Sequence, residues 1–175
     1  IAYQTSGNIA VSNSDVLKYL EVINSTFPDS RYKNEEFIEL LKNNNDIINN
    51  PRIREIASVI REKESLASTR FIGLPDNQVH FLKLPFYETG TIKKNIPTVS
   101  DRRIISEIIS EIKPHQIFAA GDLADPHGTH KVCLDILFDS LNNLKEKLFM
   151  KDCWVWLYRG AWHEWPIHEI DMAVP

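Results

Sequence analysis

The alternation of short apolar runs with segments of helical periodicity constrains the fold of this chain most strongly. The runs at 1–5, 79–84, 115–121 and 153–158 have the length and composition of strands, and 168–174 is a candidate for a last one. A clear helical stripe lies between two of these runs, at Ile104, Ile105, Ile108, Ile109 and Ile112. The alternation predicts an α/β fold of three layers, Rossmann-like, with a mainly parallel sheet.

The same periodicity predicts five helices, and several of them have a start signal. Ser14 is the predicted cap of a first helix that ends near Phe27, and a second helix is predicted over 34–49. Pro51 is predicted as the first residue of the third helix. Ser100 is predicted to cap the isoleucine-striped helix, and a fifth helix is predicted through Cys133 and on to Leu148.

Size and composition limit the classes of protein. A chain of 175 residues fits one domain over 1–175, and a net charge of −4 argues against nucleic acid as a main partner. There is no apolar run of about 20 residues and no secretory signal, so neither a membrane span nor export is predicted. Two cysteines, Cys133 and Cys153, make no disulfide framework, which favours the cytoplasm. The apolar ends, starting at Ile1, suggest a fragment of a longer multidomain protein; a processed chain that lacks nothing important is the alternative.

The stretch "AGDLADPHGTHKVC", residues 120–133, carries the densest polar chemistry and follows a predicted strand. Asp125 before Pro126 signals a helix start, and His127 and His130 then lie three apart in its first turns. The positive end of a helix disfavours protonated imidazole, and a metal binds the neutral ring. A metal site and a helix opening with incidental histidines both stay open. Three roles stay open for Asp122 and Asp125: helix cap, hydrogen-bond partner of an imidazole, or metal ligand. For Asp125 the role of helix cap is favoured.

The H-x-x-H pattern at the start of a helix resembles the second motif of the LmbE-like (PIG-L-type) zinc-dependent N-acetylglucosamine deacetylases. Upstream, Arg61, Glu64 and Ala67 match the R-x-x-E-x-x-A pattern of that family. The stretches "YQTSGNIAV", "LPFYETG" and "YRGAWHEW" are similar to the C-terminal deacetylase-like region of large bacterial proteins that also carry a glucosamine-6-phosphate deaminase (isomerase) domain. The resemblance covers most of the chain.

The resemblance implies a zinc site of which this chain holds only the second half. His130 matches the third zinc ligand of the family, and His127 matches the histidine that stabilises the oxyanion or protonates the leaving amine. The first motif, H-P-D-D, would lie before Ile1, so the fold is expected to lack its first strand and helix. Zinc is therefore expected only with that motif present. Gly128 and Thr129 depart from the common H-P-D-H form, and this puts the family activity in doubt.

The resemblance also implies that an amino sugar lies across the loops with "PFYETG" and "YRGAWHEW". Tyr87, Trp162 and Trp165 are candidates for stacking on the sugar, and packing in the core or at its rim is the favoured alternative. Arg159 or Arg61 could meet a phosphate. For Arg61, a surface pair with Glu64 is the equal alternative.

The function implied is part of a zinc-dependent hydrolase that removes an acetyl group from an N-acetylglucosamine substrate, with or without a phosphate. The isolated chain is then expected to be inactive. The alternative is a glucosamine-6-phosphate deaminase (isomerase) parent to which this region is appended as a non-catalytic module. A covalent neighbour domain of the deaminase type is the expected partner, and a homo-oligomer stays open.

Overall fold

The computed structural model describes residues 1–27, 35–43, 49–121 and 128–158. The chain divides into two compact units, Ile1–Ile96 and Pro97–Pro175. Each unit combines helices with a two-stranded parallel sheet, so the predicted α/β class with parallel strands is confirmed. The three-layer arrangement and the single domain over 1–175 stay predictions. Within the described part, no helix has an apolar stretch that could cross a bilayer.

In its described residues, the first unit contains two short strands and three α-helices. Strand β1 (Ala2–Tyr3) pairs in parallel with β2 (His80–Phe81), and the helices between them are α1 (Asn13–Thr26), α2 (Glu35–Asn43) and α3 (Pro51–Phe71). Single 3-10 turns lie at Asn8–Ala10 and Asp76–Gln78. Apolar residues at helical spacing bring the three helices together, because burial of these side chains removes them from water. The buried cluster consists of Val16, Leu20, Ile38, Leu41, Ile53, Ala57 and Ile60.

The starts of α1 and α3 test the predicted caps. Pro51 is the first residue of α3 as predicted, and the side chain of Asn50 caps it by accepting the N–H of Arg52 at 3.0 Å. The predicted cap of α1 was wrong. The cap is Ser12, whose backbone is extended and whose hydroxyl oxygen accepts the N–H of Asp15 at 3.1 Å. Ser14 already has a place inside the helix, where it cannot serve the first free N–H groups.

The second unit contains α4 (Val99–Ile112), β3 (Gln116–Ala120), α5 (Thr129–Leu144), a 3-10 turn at Leu148–Met150 and β4 (Trp154–Tyr158). Helices α4 and α5 are in contact, and their buried side chains include Ile105 and Ile109 of α4 and Leu137 and Leu141 of α5. The predicted cap Ser100 was wrong, because it lies inside α4.

The cap of α4 is Thr98, which forms a reciprocal capping box with Asp101. The Thr98 N–H donates to the Asp101 carboxylate at 2.7 Å, and the Thr98 hydroxyl oxygen accepts the N–H of Ser100 at 3.2 Å. Asp101 is fully buried. This box fixes the point at which the chain enters α4.

Strand β3 is apolar in composition, yet one of its large side chains lies mostly exposed. Phe118 is 65% exposed, and its ring stacks on that of Trp156 at a centroid distance of 6.4 Å. The parallel register places Phe118 opposite Trp156 on one face of the sheet. Alternate side chains of a strand point to opposite faces, and here the aromatic face stays largely open. The proposed last strand at 168–174 lies outside the described residues.

Candidate functional site

The histidine stretch follows strand β3 of the second unit. Because β3 and β4 are parallel, their carboxyl ends lie at the same edge of the sheet. The N–H of Gly121 donates to the carbonyl of Tyr158 at 2.8 Å, so the pairing continues one residue past β3. Ligands of parallel α/β sheets bind at this kind of edge. Residues 122–127 lie outside the described part of the chain. After them, Gly128 precedes α5, and His130 lies exposed in the first turn of this helix.

Helix α5 begins later than the Asp125–Pro126 signal predicted. Its first residue is Thr129, and Gly128 takes the cap position without a hydrogen bond from a side chain. Gly128 has a φ of 67°, which lies in the left-handed region. This conformation favours glycine and does not belong to a right-handed helix. Gly128 is thus the cap where Asp125 was expected. Asp125 itself lies outside the described residues.

The structure does not test the remaining polar residues of this predicted site. Asp122, Asp125, His127, Arg159 and Trp162 lie outside the described residues, and so does Trp165; their roles stay predictions. Within the described ranges, no group of three or more His, Cys, Asp or Glu side chains could hold a metal ion. A catalytic zinc usually takes three ligands from the protein. The described residues, which include only His130 of the proposed ligand set, therefore do not fit a zinc centre by themselves.

Arg61 lies on α3 in the first unit, with an exposed side chain. Its Nη1 donates to the Glu64 carboxylate at 2.7 Å, which is the surface pair that the sequence offered as one alternative. The same side chain also approaches the loop after β1. A Cβ built on Gly7 would lie 3.4 Å from the Arg61 Nε. Arg61 is therefore both paired on the helix surface and placed beside a loop at the carboxyl end of a strand.

Tyr87 was predicted to stack on a sugar or to pack, and its surroundings favour packing. The residue is 5% exposed. Its ring meets that of Phe86 edge to face at 6.2 Å, and the Lys94 ammonium lies 5.6 Å from the ring centroid. A ring enclosed in this way presents no open face to a ligand from solvent.

The carboxyl edge of the β1–β2 sheet carries polar contacts that sequence reasoning missed. The pairing continues beyond the strands, since the N–H of Leu84 donates to the carbonyl of Gln4 at 2.9 Å. The N–H of Ser6, a residue 6% exposed, donates to the Glu88 Oε1 at 2.8 Å and joins segments 82 residues apart. Lys83, just past β2, has a φ of 45°, and such strain in a non-glycine residue clusters at functional sites.

Arg54 of α3 is buried against this edge, with 3% of its surface exposed. Its Nη1 donates to the carbonyl of Asn8 at 3.0 Å. Burial lowers the pKa of the Arg54 guanidinium, and the nearby Tyr87 phenol partly opposes that effect. A signal was present in the sequence, because Arg54, Ser58 and Arg61 recur at helical spacing beside the apolar stripe of α3.

The Cys153 thiol, just before β4, is not an activated nucleophile. Cys133 and Cys153 are not joined by a disulfide bond. Burial raises the pKa of the Cys153 thiol, which disfavours the thiolate, the form that acts as nucleophile and metal ligand.

Comparison with known proteins supports one part of the sequence interpretation. The chain is similar to a glucosamine-6-phosphate deaminase-like protein. That protein is from Bacteroides thetaiotaomicron, and the two are 45% identical over an alignment of 186 positions that covers all of this chain. The chain spans 28% of the length of this relative. No family model and no solved structure matches the chain. The similarity fits the expected link to deaminase-like proteins, and membership of the deacetylase family stays a prediction.

Proposed function

We propose that this chain is a region of a longer protein that processes amino-sugar phosphates. The observation that carries the proposal is the 45% identity to a glucosamine-6-phosphate deaminase-like protein along the whole chain. Because the chain matches only 28% of that relative, the proposal places it beside a neighbour domain of the deaminase type. In this arrangement the neighbour domain carries the deaminase chemistry.

Within that protein we propose that the second unit contributes to amide hydrolysis on an N-acetylglucosamine substrate. His130 supports this, because it is exposed in the first turn of the helix that follows β3, where α/β sheets bind their ligands. An imidazole in this place can serve as a metal ligand or as a hydrogen-bond partner of a substrate. Zinc, if bound, needs further ligands from outside the described residues.

A second candidate function follows from the name of the relative, a glucosamine-6-phosphate deaminase-like protein. In this case the region is an appended module, and the parent protein isomerises glucosamine 6-phosphate and releases ammonia. The two candidates differ in product, since the hydrolase yields acetate and the deaminase yields ammonia.

The experiment uses the full-length protein that contains this chain. Acetate release from N-acetylglucosamine and from its 6-phosphate is measured beside ammonia release from glucosamine 6-phosphate, with and without a chelator. The variants are His130→Ala and, as a matched control, His115→Ala, which removes another exposed histidine just before β3. The hydrolase proposal expects chelator-sensitive acetate release that is lost in His130→Ala and kept in His115→Ala.

Two results would overturn these proposals separately. Full acetate release by the His130→Ala protein removes His130 from the hydrolase. Release of neither acetate nor ammonia from any of the amino sugars removes the assignment to amino-sugar phosphates. Ammonia release alone, unchanged by both substitutions, favours the appended module.

A further inference from the structure

Arg54 is a buried cation whose hydrogen-bonding capacity is mostly unused. Of its guanidinium nitrogens, Nη1 donates to the Asn8 carbonyl at 3.0 Å, whereas Nε and Nη2 are closed to solvent and have no hydrogen-bond partner in the part of the chain that the structure describes. Among the described residues, no carboxylate forms an ion pair with Arg54. Buried polar atoms are almost always satisfied, and a buried charge without a partner is strongly destabilising. This arrangement leaves two donors of a buried cation available to a bound partner.

The two unused donors share one edge of the guanidinium plane. Nε–H and Nη2–H point the same way and are spaced to meet two oxygens of one anionic group, as in bidentate arginine–phosphate and arginine–carboxylate pairs. Nη1, on the other side, is fixed by the Asn8 carbonyl, whose residue is itself 5% exposed. The free edge is thus held in one orientation before any ligand arrives, which reduces the entropy lost on binding.

The surroundings of Arg54 favour a doubly charged anion. Tyr87 lies near the guanidinium, and the Lys94 ammonium lies 5.6 Å from the centroid of the Tyr87 ring. Two positive groups around one tyrosine attract a phosphate monoester, of charge about −1.5 to −2, more strongly than a carboxylate of charge −1.

We propose that the Nε–Nη2 edge of Arg54 binds the phosphate of a small phosphate monoester at the carboxyl edge of the β1–β2 sheet. The sugar part of that ester, an amino sugar, rests on the proposed function; the phosphate does not. Because the two nitrogens are closed to solvent, a neighbouring side chain moves when the ligand enters.

The test measures binding to the 175-residue chain by isothermal titration and thermal shift. The probes are inorganic phosphate, glucosamine 6-phosphate, glucosamine and acetate. Arg54→Met keeps the alkyl stem and removes the fork, and Arg54→Lys keeps the charge without the two-pronged edge. The matched control is Lys63→Met, which removes one positive charge from an exposed position of the same helix. Circular dichroism checks that each variant is folded. If Arg54→Met does not fold, the comparison is made with Arg54→Lys alone.

The expected result is saturable binding of glucosamine 6-phosphate to the unchanged chain, at least tenfold weaker in Arg54→Lys and absent in Arg54→Met. Lys63→Met is expected to bind like the unchanged chain. Binding of acetate but not phosphate, or equal phosphate binding by the Arg54 variants, overturns the proposal, and so does the absence of any phosphate binding. Binding of inorganic phosphate as tight as that of the sugar phosphate, lost in Arg54→Met, supports the anion site and counts against the amino-sugar function.

Discussion

Replacement of Glu88 by alanine tests whether the carboxyl edge of the first sheet is built as the structure shows. The Glu88 Oε1 accepts the N–H of Ser6 at 2.8 Å, and Ser6 is 6% exposed. In Glu88→Ala this N–H loses its partner inside the protein, where water does not replace it freely. A buried donor left unsatisfied costs about 1–3 kcal/mol, so we expect a loss of about 2 kcal/mol in the free energy of unfolding. For a chain of this length that corresponds to a decrease of about 4–8 °C in Tm.

Two further variants make this prediction specific. Glu88→Gln keeps an oxygen at the same place and loses only the charge, so we expect a loss of about 1 kcal/mol. Glu55→Ala, on the exposed side of α3, removes a glutamate without such a contact and is expected to change stability by less than about 0.5 kcal/mol.

The assay is urea unfolding combined with amide hydrogen exchange at Ser6. Exchange at this amide is expected to be faster in Glu88→Ala than in Glu88→Gln. If the two substitutions at Glu88 are equally destabilising, the oxygen acceptor is not what matters. If Glu88→Ala matches Glu55→Ala, the link between the two segments contributes nothing and the argument fails.

Three other predictions concern the helices and the acid limb of stability. Asn50→Ala removes the cap of α3 and should lower the free energy of unfolding, measured in urea, by about 1 kcal/mol. Asn50→Asp should keep most of the stabilisation that the cap provides. Leu20→Ala, at a site 2% exposed, should cost about 2–5 kcal/mol, and Val22→Ala, at 55% exposed, much less. The hydrogen bond that Arg70 donates lowers the pKa of Asp76. The stabilisation of the fold by this pair is therefore present above the usual carboxyl pKa and is lost as the pH falls through the lowered pKa. Asp76→Asn should therefore reduce the difference in Tm between neutral and acidic pH.

The helices could be predicted from the sequence because their signal is local, but their first residues could not. Ser14 and Ser100 are the predicted caps, and each lies two positions after the true cap, Ser12 or Thr98. Each pair offers two hydroxyl side chains of similar capping ability. The choice depends on which residue adopts an extended backbone where the chain enters the helix, and packing of the whole unit decides this.

The strands show a different limit. Runs of five and six residues, 1–5 and 79–84, were predicted, yet β1 and β2 each contain only two. A strand exists only where a partner pairs with it, and the partner of β1 lies far away along the chain. The pairing continues past the strands as single hydrogen bonds, such as that from Leu84 to Gln4. Local composition indicates that a segment is extended, but it does not fix how far a ladder extends.

Arg54 shows why one part of the candidate site was missed although its pattern was present. An arginine on an amphipathic helix is ordinarily assigned to the solvent side, because burial of its charge is costly. Helix α3 buries two neighbouring stripes, an apolar one with Ile53 and Ala57 and a polar one with Arg54 and Ser58. The Asn8 carbonyl, which accepts the hydrogen bond from Arg54, lies 46 residues away in sequence, so only the folded chain reveals the contact. A polar stripe beside the apolar one, on a helix that packs against the loop after a strand, is therefore better interpreted as a buried site than as a solvated face.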